Sequence, residues 1–297
     1  MKLNLVLIFL LLLPFQIFSQ KTKNIIIVTI DGVRWQEVFK GSDKSITNDY
    51  SSREDIMPFL WKYGQSDGQI YGNRYYNNYS NVKNLYHISY PGYNEIFTGY
   101  ADPLFIPNLP IYNRNTSFLE ELNQSKEFCG SVVSFSSWSY FDYILNSKKS
   151  TFPIYSGYKN DEITYSSAKK YIQEKHPRII HVGFGETDEW AHKKRYDIYL
   201  DKIRDSDSMI NDMWTYIQNE PFYKDQTTLI ITTDHGRGKS SSTWNSHGFW
   251  IPGSGQTWIV IIGPDTKPLG EMKNKNHFYQ KQIHNKIFKL LGLKYLF

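Results

Sequence analysis

The feature that most constrains the fold is a set of four apolar runs rich in β-branched residues, with segments of helical periodicity between them. The runs are residues 24–30 (NIIIVTI), 178–184 (RIIHVGF), 228–233 (TLIITT) and 257–263 (TWIVIIG), and residues 131–135 form a weaker fifth. Continuous runs of this kind are typical of strands that are buried on both faces of a parallel sheet. They predict an α/β fold in which helices cover a mostly parallel central sheet.

The covering helices are predicted by apolar residues that recur three or four positions apart. One such pattern runs from residue 201 to 218, and a second spans residues 283–291. Two other stretches, 41–86 and 101–115, are polar or rich in Pro and Asn, and we expect them to be excursions over the strand ends. The sequence therefore predicts one domain over residues 21–297, a length that a single α/β domain can fill.

The first twenty residues, MKLNLVLIFLLLLPFQIFSQ, predict a secretory signal peptide, because one lysine and an apolar run precede a small residue at Ser19. Cleavage there would leave no stable membrane span and would place the protein in the periplasm or outside the cell. The single cysteine, Cys129, can form neither an internal disulfide nor a Cys-based zinc site. A formal net charge of +5 without a dense basic run gives no support to a nucleic-acid-binding module. The sequence leaves the oligomeric state open.

Candidate metal ligands follow three of the four apolar runs. Asp31 comes directly after the first run, Asp188 and His192 follow the second, and Asp234 and His235 follow the third. Because ligands bind at the carboxyl ends of strands in parallel α/β sheets, these side chains are expected to converge. Each group alone also fits a surface pair, a strand cap or a turn. Their arrival together at three strand ends indicates a metal site.

His247 and Ser89 complete the candidate site. With His247, the set has three histidines and three aspartates, which suit zinc better than calcium or magnesium. Six ligands are too many for one catalytic zinc but enough for two ions with three ligands each. Ser89 precedes a Pro-Gly turn in HISYPGYNEIFTG, and metal coordination would lower the pKa of its hydroxyl and make it a nucleophile.

Taken in order, these residues resemble the motifs of the alkaline phosphatase superfamily. The ordered set is Asp31, Ser89, Asp188-x-x-x-His192, Asp234-His235-Gly236 and His247. Within that superfamily, the segment SYPGYNEIFTG is similar to the nucleotide pyrophosphatase/phosphodiesterase branch, also called type I phosphodiesterases. There a Thr or Ser nucleophile precedes a Pro-containing turn and a helix that ends in Thr-Gly. The resemblance covers nearly the whole chain after the signal peptide, and it implies a three-layer α/β/α sandwich that hydrolyses a small-molecule phosphate ester.

The resemblance also implies a role for each residue. One zinc ion would be held by Asp188, His192 and His247. The other would be held by Asp31, Asp234 and His235, with the Ser89 hydroxyl beside it. The implied reaction is an in-line attack of Ser89 on phosphorus, which gives a phosphoseryl intermediate. Water activated at the first zinc would then release phosphate.

Four further residues are candidates for substrate contacts, namely Asn108, Asn113, Arg34 and Tyr93. Several members of the superfamily hold a phosphoryl oxygen with an Asn downstream of the nucleophile. This implies Asn108 or Asn113 without deciding between them, and both also fit ordinary loop asparagines. Arg34 could bind phosphate through its two parallel donors, or it could brace its loop through an ion pair. The choice between monoester and diester substrates also stays open, with a slight preference for diesters.

The nearest alternative is a sulfatase of the same fold. Type I sulfatases require a C/S-x-P-x-R motif, whose Cys or Ser becomes formylglycine and whose arginine supports the modified residue. This chain has S-x-P-x-Y, with Tyr93 at the arginine position. A metal-binding surface protein without catalytic activity is a second alternative, although no ligand of the set is missing.

Overall fold

A computed structural model describes residues 21–103 and 108–294, so the predicted signal peptide lies outside the described residues. The strands in these ranges are β1 (Asn24–Ile30), β2 (Gly68–Tyr71), β3 (Asn78–Asn81), β4 (Val132–Ser136), β5 (Ile154–Tyr155), β6 (Ile179–Phe184), β7 (Thr227–Thr232), β8 (Gln256–Thr257), β9 (Ile259–Ile262), β10 (Gly270–Glu271) and β11 (Asn276–Tyr279). The α-helices are α1 (Trp35–Lys40), α2 (Arg53–Ile56), α3 (Pro58–Asp67), α4 (Ser89–Thr98), α5 (Phe118–Gln124), α6 (Phe141–Ile144), α7 (Asp161–Lys175), α8 (Glu186–His192), α9 (Tyr196–Asn219) and α10 (Gln282–Leu290).

The central sheet contains eight strands in the order β10-β2-β9-β7-β1-β6-β4-β5. From β7 to β5 every neighbouring pair is parallel, whereas β9 runs antiparallel to both β2 and β7. The predicted mostly parallel sheet is therefore confirmed.

The central strand β1 explains why helices lie on both sides of the sheet. All seven of its residues are buried, and successive side chains point to opposite faces. Ile26 and Val28 pack in one apolar cluster, which includes the buried face of α9. Ile25 and Ile27 pack in a second cluster, which includes α4 and α10. Two separate cores on one sheet require a layer on each side, and the predicted α/β/α architecture is confirmed.

Two segments differ from the sequence prediction. The stretch 41–86 is not only an excursion, because it contains β2, which joins the central sheet between β10 and β9. This strand has only four residues and lies within a polar stretch of sequence, although its Ile70 is fully buried. The apolar run at 257–263 is also divided, since β8 pairs with β3 in a separate three-stranded sheet and only β9 enters the central one.

The order of the strands places the candidate ligands together. β1 lies between β7 and β6, so the carboxyl ends of three adjacent parallel strands meet at one edge of the sheet. Asp31 directly follows β1, Asp234 lies two residues after β7, and α8 begins two residues after β6. No helix in the described ranges is both long enough and apolar enough to cross a membrane.

Candidate metal centre

The first cluster of candidate ligands consists of Asp31, Asp234 and His235, all of which are buried. The Nε2 atom of His235 lies 3.5 Å from Asp31 Oδ1 and 3.4 Å from Asp234 Oδ2. The other ring nitrogen, Nδ1, is 2.8 Å from the carbonyl oxygen of Gly236, to which it can only donate. That hydrogen bond fixes the proton on Nδ1 and leaves the Nε2 lone pair directed at the two carboxylates, which is the arrangement of a metal-binding histidine.

The second cluster consists of Asp188, His192 and His247. His192 lies at the end of α8, four residues after Asp188, so both side chains share one face of that helix. The His192 Nε2 atom is 3.2 Å from Asp188 Oδ2 and 2.9 Å from His247 Nε2. His247 Nε2 is in turn 3.6 Å from Asp188 Oδ1. Three potential ligand atoms therefore point toward one small volume.

The two clusters adjoin each other. The rings of His235 and His247 are stacked, with centroids 4.1 Å apart and planes inclined by 24°. Arg237, which is 1% exposed, contacts the Asp188 carboxylate through Nη2 and donates from Nε to the carbonyl oxygen of Gly32. This arginine therefore connects the segments that carry Asp31 and Asp188, through an ion pair with one and a hydrogen bond to the other. It does not project into the cavity.

Ser89 is the first residue of α4, and its hydroxyl points into the first cluster. Its Oγ atom lies 3.2 Å from His235 Nε2 and 3.5 Å from Asp31 Oδ1. Pro91 falls within the first helical turn, where its missing N–H costs nothing, so the predicted turn is in fact the beginning of the helix. A Cβ atom on Gly92 would lie 2.3 Å from the carbonyl oxygen of Asp234. Glycine therefore allows the start of α4 to approach the end of β7 closely enough to deliver Ser89.

The buried carboxylates of the first cluster would be stabilised by a bound cation. Burial, reinforced by the charge of Asp234, raises the pKa of Asp31 to about 8. Burial also raises the pKa of Asp234 to about 7. Asp234 Oδ2 is buried and accepts no hydrogen bond from the described residues. Two buried carboxylates with an unsatisfied oxygen and an imidazole lone pair between them fit a bound divalent metal, which would supply the compensating charge.

The second cluster has the same character. Burial lowers the pKa of His192, and it lowers that of His247 well below its ordinary value. Both imidazoles are therefore neutral near pH 7, as metal ligands must be. The donor set of three imidazoles and three carboxylates over the two clusters fits zinc.

A cavity of about 790 Å³ opens onto the site. It is bordered by Asp31, Ser89 and Asn108 and by residues without a sequence motif, such as Trp138 and Lys159. The Asn108 side chain accepts a hydrogen bond from the backbone N–H of Tyr90 at 2.9 Å, which places it directly beside Ser89. Because the Tyr90 N–H donates to Asn108, it is not available to bind a ligand in this conformation. No sequence signal identified Trp138 or Lys159, because each follows an unremarkable strand end or turn.

The structure places three of the proposed substrate contacts elsewhere. Asn113 is 1% exposed and donates to Asn94 Oδ1 and to the carbonyl oxygen of Ile144, so it ties loops together beneath the surface. Arg34 is fully buried and paired with Glu37, which corresponds to the ion-pair alternative.

Tyr93 is the third of these residues. It is 1% exposed, and its hydroxyl donates a hydrogen bond to Asp31 Oδ2 at 3.2 Å. It therefore supports a candidate ligand from behind and does not face the cavity. Whether a polar side chain turns toward a site or away from it is decided by tertiary packing, which the motif alone does not encode.

A family model described as "Metalloenzyme superfamily" matches residues 130–291, just over half of the chain. The match covers β4, β6, β7 and the segments that carry Asp188, His192, Asp234, His235 and His247. A comparison with curated proteins finds no match.

Solved structures with the same fold have different activities in their names. The lipoteichoic acid synthase LtaP from Listeria monocytogenes is 13% identical, with a TM-score of 0.62 over 93% of this chain and 73% of that chain. Murine ectonucleotide pyrophosphatase/phosphodiesterase 5 is 14% identical, with a TM-score of 0.59 over 92% of this chain and 96% of that chain. A 2-O GAG sulfatase is 11% identical, with a TM-score of 0.65 over 92% of this chain and 71% of that chain. These likenesses show the alkaline phosphatase fold.

Proposed function

The chain belongs to the metalloenzyme superfamily, and on that premise we propose that it is an exported, zinc-dependent hydrolase of phosphoric esters with Ser89 as its nucleophile. The observation that carries the proposal is the position of Ser89 Oγ, 3.2 Å from His235 Nε2 and 3.5 Å from Asp31 Oδ1. A hydroxyl held against two members of a metal-ligand set is what a metal-activated nucleophile requires.

Two zinc ions would be held by the two clusters, one by Asp31, Asp234 and His235 and the other by Asp188, His192 and His247. His235 also lies within 4.8 Å of ligand atoms of Asp188 and His247, so it stands between the two proposed ions. When bound, zinc supplies Lewis-acid charge, which lowers the pKa of a neighbouring hydroxyl and stabilises negative charge on phosphoryl oxygens. The donor chemistry, the Nδ1-protonated tautomer of His235 and the unsatisfied Asp234 Oδ2 support this part of the proposal.

In the proposed reaction, Ser89 Oγ forms a bond to phosphorus while the bond from phosphorus to the ester oxygen breaks. The alcohol leaves, and water then cleaves the phosphoseryl ester to regenerate Ser89. Ser89 is the first residue of α4, so the negative charge that develops in the proposed reaction would lie near the positive end of the helix. Asn108 lies beside Ser89 at the cavity, and in the proposed reaction its side-chain amide would donate to a phosphoryl oxygen.

The walls of the cavity favour a phosphodiester over a monoester. Trp138 is stacked on Tyr140, with ring centroids 4.7 Å apart, and offers an apolar surface to a second ester group. Of the two lysines at the cavity, Lys193 pairs with Glu189, and Lys159 forms no ion pair with the described residues. A monoester carries an additional negative charge and would be expected to meet more cationic side chains.

A sulfatase is the second candidate, and the similarity to a 2-O GAG sulfatase keeps it in view. The side chain of Tyr93 argues against it, because this residue stands where sulfatases have arginine and is engaged with Asp31.

We propose that residues 21–297 form one exported catalytic domain. The described residues on either side of the sheet pack against the same eight strands, which supports a single unit. Export rests on the predicted signal peptide alone.

The proposal is tested by measuring metal content and a panel of kcat/KM values on the purified protein. The panel contains aryl esters of phosphate as monoester and diester, of a phosphonate, and of sulfate. We expect about two zinc ions per chain, the highest kcat/KM on the phosphodiester, and loss of turnover after chelation that added zinc restores. A preference for the sulfate ester, or full activity without metal, would refute the proposal.

A further inference from the structure

Two large aromatic side chains are exposed to solvent directly after a candidate metal ligand. Phe249 and Trp250 are 50% and 86% exposed, and they follow His247 within three residues. They occupy the two central positions of a turn, in which the N–H of Ile251 donates to the carbonyl oxygen of Gly248 at 3.0 Å. Polar residues and glycine are the usual occupants of such positions, so two adjacent aromatic rings there indicate a binding surface.

The turn holds these two rings outward. The rings contact each other edge to face, with centroids 4.5 Å apart. Behind them, the fully buried Ser254 donates from its hydroxyl to the carbonyl oxygen of Ile251 at 2.9 Å, and its own carbonyl accepts from the N–H of Gly236 at 2.7 Å. The exposure of Phe249 and Trp250 is therefore a property of the folded chain.

Two further segments bring apolar side chains to the same place. A Cβ atom on Gly248 would lie 4.0 Å from the side chain of Ile88, the residue before Ser89. After Ser89, the hydroxyl of Tyr90 donates to the carbonyl oxygen of Ile111 at 2.6 Å. All three segments therefore meet at the beginning of α4. Their exposed large apolar residues are Leu85, Leu109, Ile111, Phe249 and Trp250, and we call these five residues the apolar rim.

The stretches of sequence that carry the apolar rim contain no acidic residue. Residues 68–94, 108–119 and 236–264 have neither Asp nor Glu, although the chain has 29 of them. The next two acidic residues after the first stretch, Glu95 and Asp102, are both buried. An anionic surface that approached the rim would therefore meet no carboxylate from these stretches.

Two exposed lysines lie in the same stretches. Lys83 comes two residues before Leu85 of the rim. Lys239 lies beside the aromatic turn, because its backbone N–H donates to the carbonyl oxygen of Pro252 at 3.2 Å. The charge next to the rim is therefore positive.

Aromatic and aliphatic side chains flanked by lysines are typical of segments that enter the interface of a membrane. A tryptophan ring is stable there because it combines an apolar body with a polar N–H. Lysines add attraction to anionic headgroups, and burial of apolar side chains adds to the affinity. We propose that the apolar rim inserts into the surface of a membrane that contains anionic phospholipid, so that the opening beside Ser89 lies at the level of the headgroups.

Membrane binding of this kind goes beyond the proposed hydrolysis and does not depend on it. No residue of the apolar rim is a candidate metal ligand or nucleophile. Binding is best measured with Ser89→Ala, because the proposed activity of the wild type would extend to phosphodiesters of the vesicle lipids. A failure of Ser89→Ala to bind vesicles would leave the proposed reaction untouched.

The test is cosedimentation of zinc-loaded Ser89→Ala with vesicles of equal parts phosphatidylcholine and phosphatidylglycerol. We expect saturable binding that becomes about a hundredfold weaker when Phe249→Ser/Trp250→Ser is added. The matched control is Phe222→Ser/Leu269→Ser, which removes two exposed apolar side chains near the amino ends of β7 and β2. Equal weakening by both double substitutions, or by neither, would overturn the proposal.

The lysines are tested in the same assay. Lys83→Ala/Lys239→Ala should weaken binding to the mixed vesicles about tenfold or more and leave the weaker binding to pure phosphatidylcholine unchanged. Lys126→Ala/Lys224→Ala removes the same charge from two exposed lysines in other segments and should have a smaller effect. Equal effects of the two pairs would mean that net charge alone attracts the protein, which contradicts the proposed orientation.

Fluorescence quenching by brominated acyl chains shows which tryptophan enters the bilayer. Trp250→Phe keeps an aromatic ring and should still bind, but the quenching seen with Trp250 should be lost. Unchanged quenching would mean that another of the eight tryptophans contacts the lipid, and the assignment to the rim would be wrong. If sedimentation velocity instead shows a dimer that Phe249→Ser/Trp250→Ser dissociates, without any vesicle binding, the rim joins two copies of the chain and the proposal is refuted.

Discussion

The hydroxyl of Tyr93 donates a hydrogen bond to Asp31 Oδ2 across 3.2 Å, so a residue of α4 orients a carboxylate that follows β1. The tyrosine ring is held edge-on against Phe141, with centroids 4.7 Å apart. Its position is therefore fixed by core packing. Groups that orient a metal ligand in this way influence both metal affinity and turnover.

Removing this hydrogen bond should weaken the site without changing the fold. We expect Tyr93→Phe to lower zinc affinity or kcat by about ten- to a hundredfold, measured by competition with a chelator and by steady-state kinetics. Tyr223→Phe is the matched control, because it removes a hydrogen bond from another buried tyrosine to a backbone carbonyl oxygen, that of Pro177, away from the candidate ligands. Equal effects of the two substitutions would show that Tyr93 has no specific role at Asp31.

The two candidate asparagines should separate by what they affect. Asn108→Asp keeps an acceptor for the Tyr90 N–H but replaces the amide donor with a negative charge, so kcat/KM should fall about tenfold or more. Asn113→Ala should leave kcat/KM near that of the wild type. It should instead lower the free energy of unfolding by about 2 kcal/mol, because buried partners lose their hydrogen bonds. The reverse pattern would assign the phosphoryl contact to Asn113.

The buried Arg34–Glu37 pair should be a stability element. Both side chains are fully buried, and Glu37 also accepts a hydrogen bond from Tyr196 at 2.8 Å. Glu37→Gln would leave the guanidinium without its counter-charge, and we expect a loss of about 3–5 kcal/mol in urea unfolding. Asp197→Asn, which breaks the exposed pair with Arg195, should leave the urea midpoint unchanged. A normal midpoint in Glu37→Gln together with a raised KM would instead support a substrate role for Arg34.

His181 should make the protein sensitive to acid. It is fully buried in the core, and burial lowers its pKa from 6.5 to about 3. A depressed pKa in the folded state means that the neutral ring is favoured on folding. The resulting contribution is fully present above pH 6.5 and is lost as the pH falls toward 3.

The test compares the wild type with His181→Gln, both without zinc, so that release of metal does not contribute. Between pH 7 and pH 4.5, the free energy of unfolding should fall by about 3 kcal/mol more in the wild type than in the variant. Parallel pH dependences would show that His181 does not titrate in this range.

Five strands of the central sheet, namely β1, β4, β6, β7 and β9, and the positions of the candidate ligands could be predicted from the sequence for a physical reason. Parallel strands that are buried on both faces have continuous apolar sequences. The residues that follow these strands meet at the carboxyl edge of the sheet. The strand β2 could not be predicted, because its four residues lie in a polar stretch and gain their partners from β9 and β10. The roles of the individual ligands stay predictions, which the spacing of the side chains supports.

The sequence does not predict whether an individual polar side chain points into the cavity or toward a buried partner within the protein. Arg34 and Asn113 have the chemistry of phosphate contacts, yet each finds a buried partner within the protein.

The central claim is that Ser89 attacks phosphorus at a zinc site, and acid-quenched turnover tests it most directly. Wild-type protein mixed with an aryl phosphodiester and quenched within one turnover should carry a phosphoryl group on Ser89, detected by peptide mass spectrometry. Ser89→Ala should retain about two zinc ions per chain and lose about a thousandfold or more in kcat. Wild-type turnover in Ser89→Ala, with no phosphorylated Ser89 in the quenched wild type, would contradict the account.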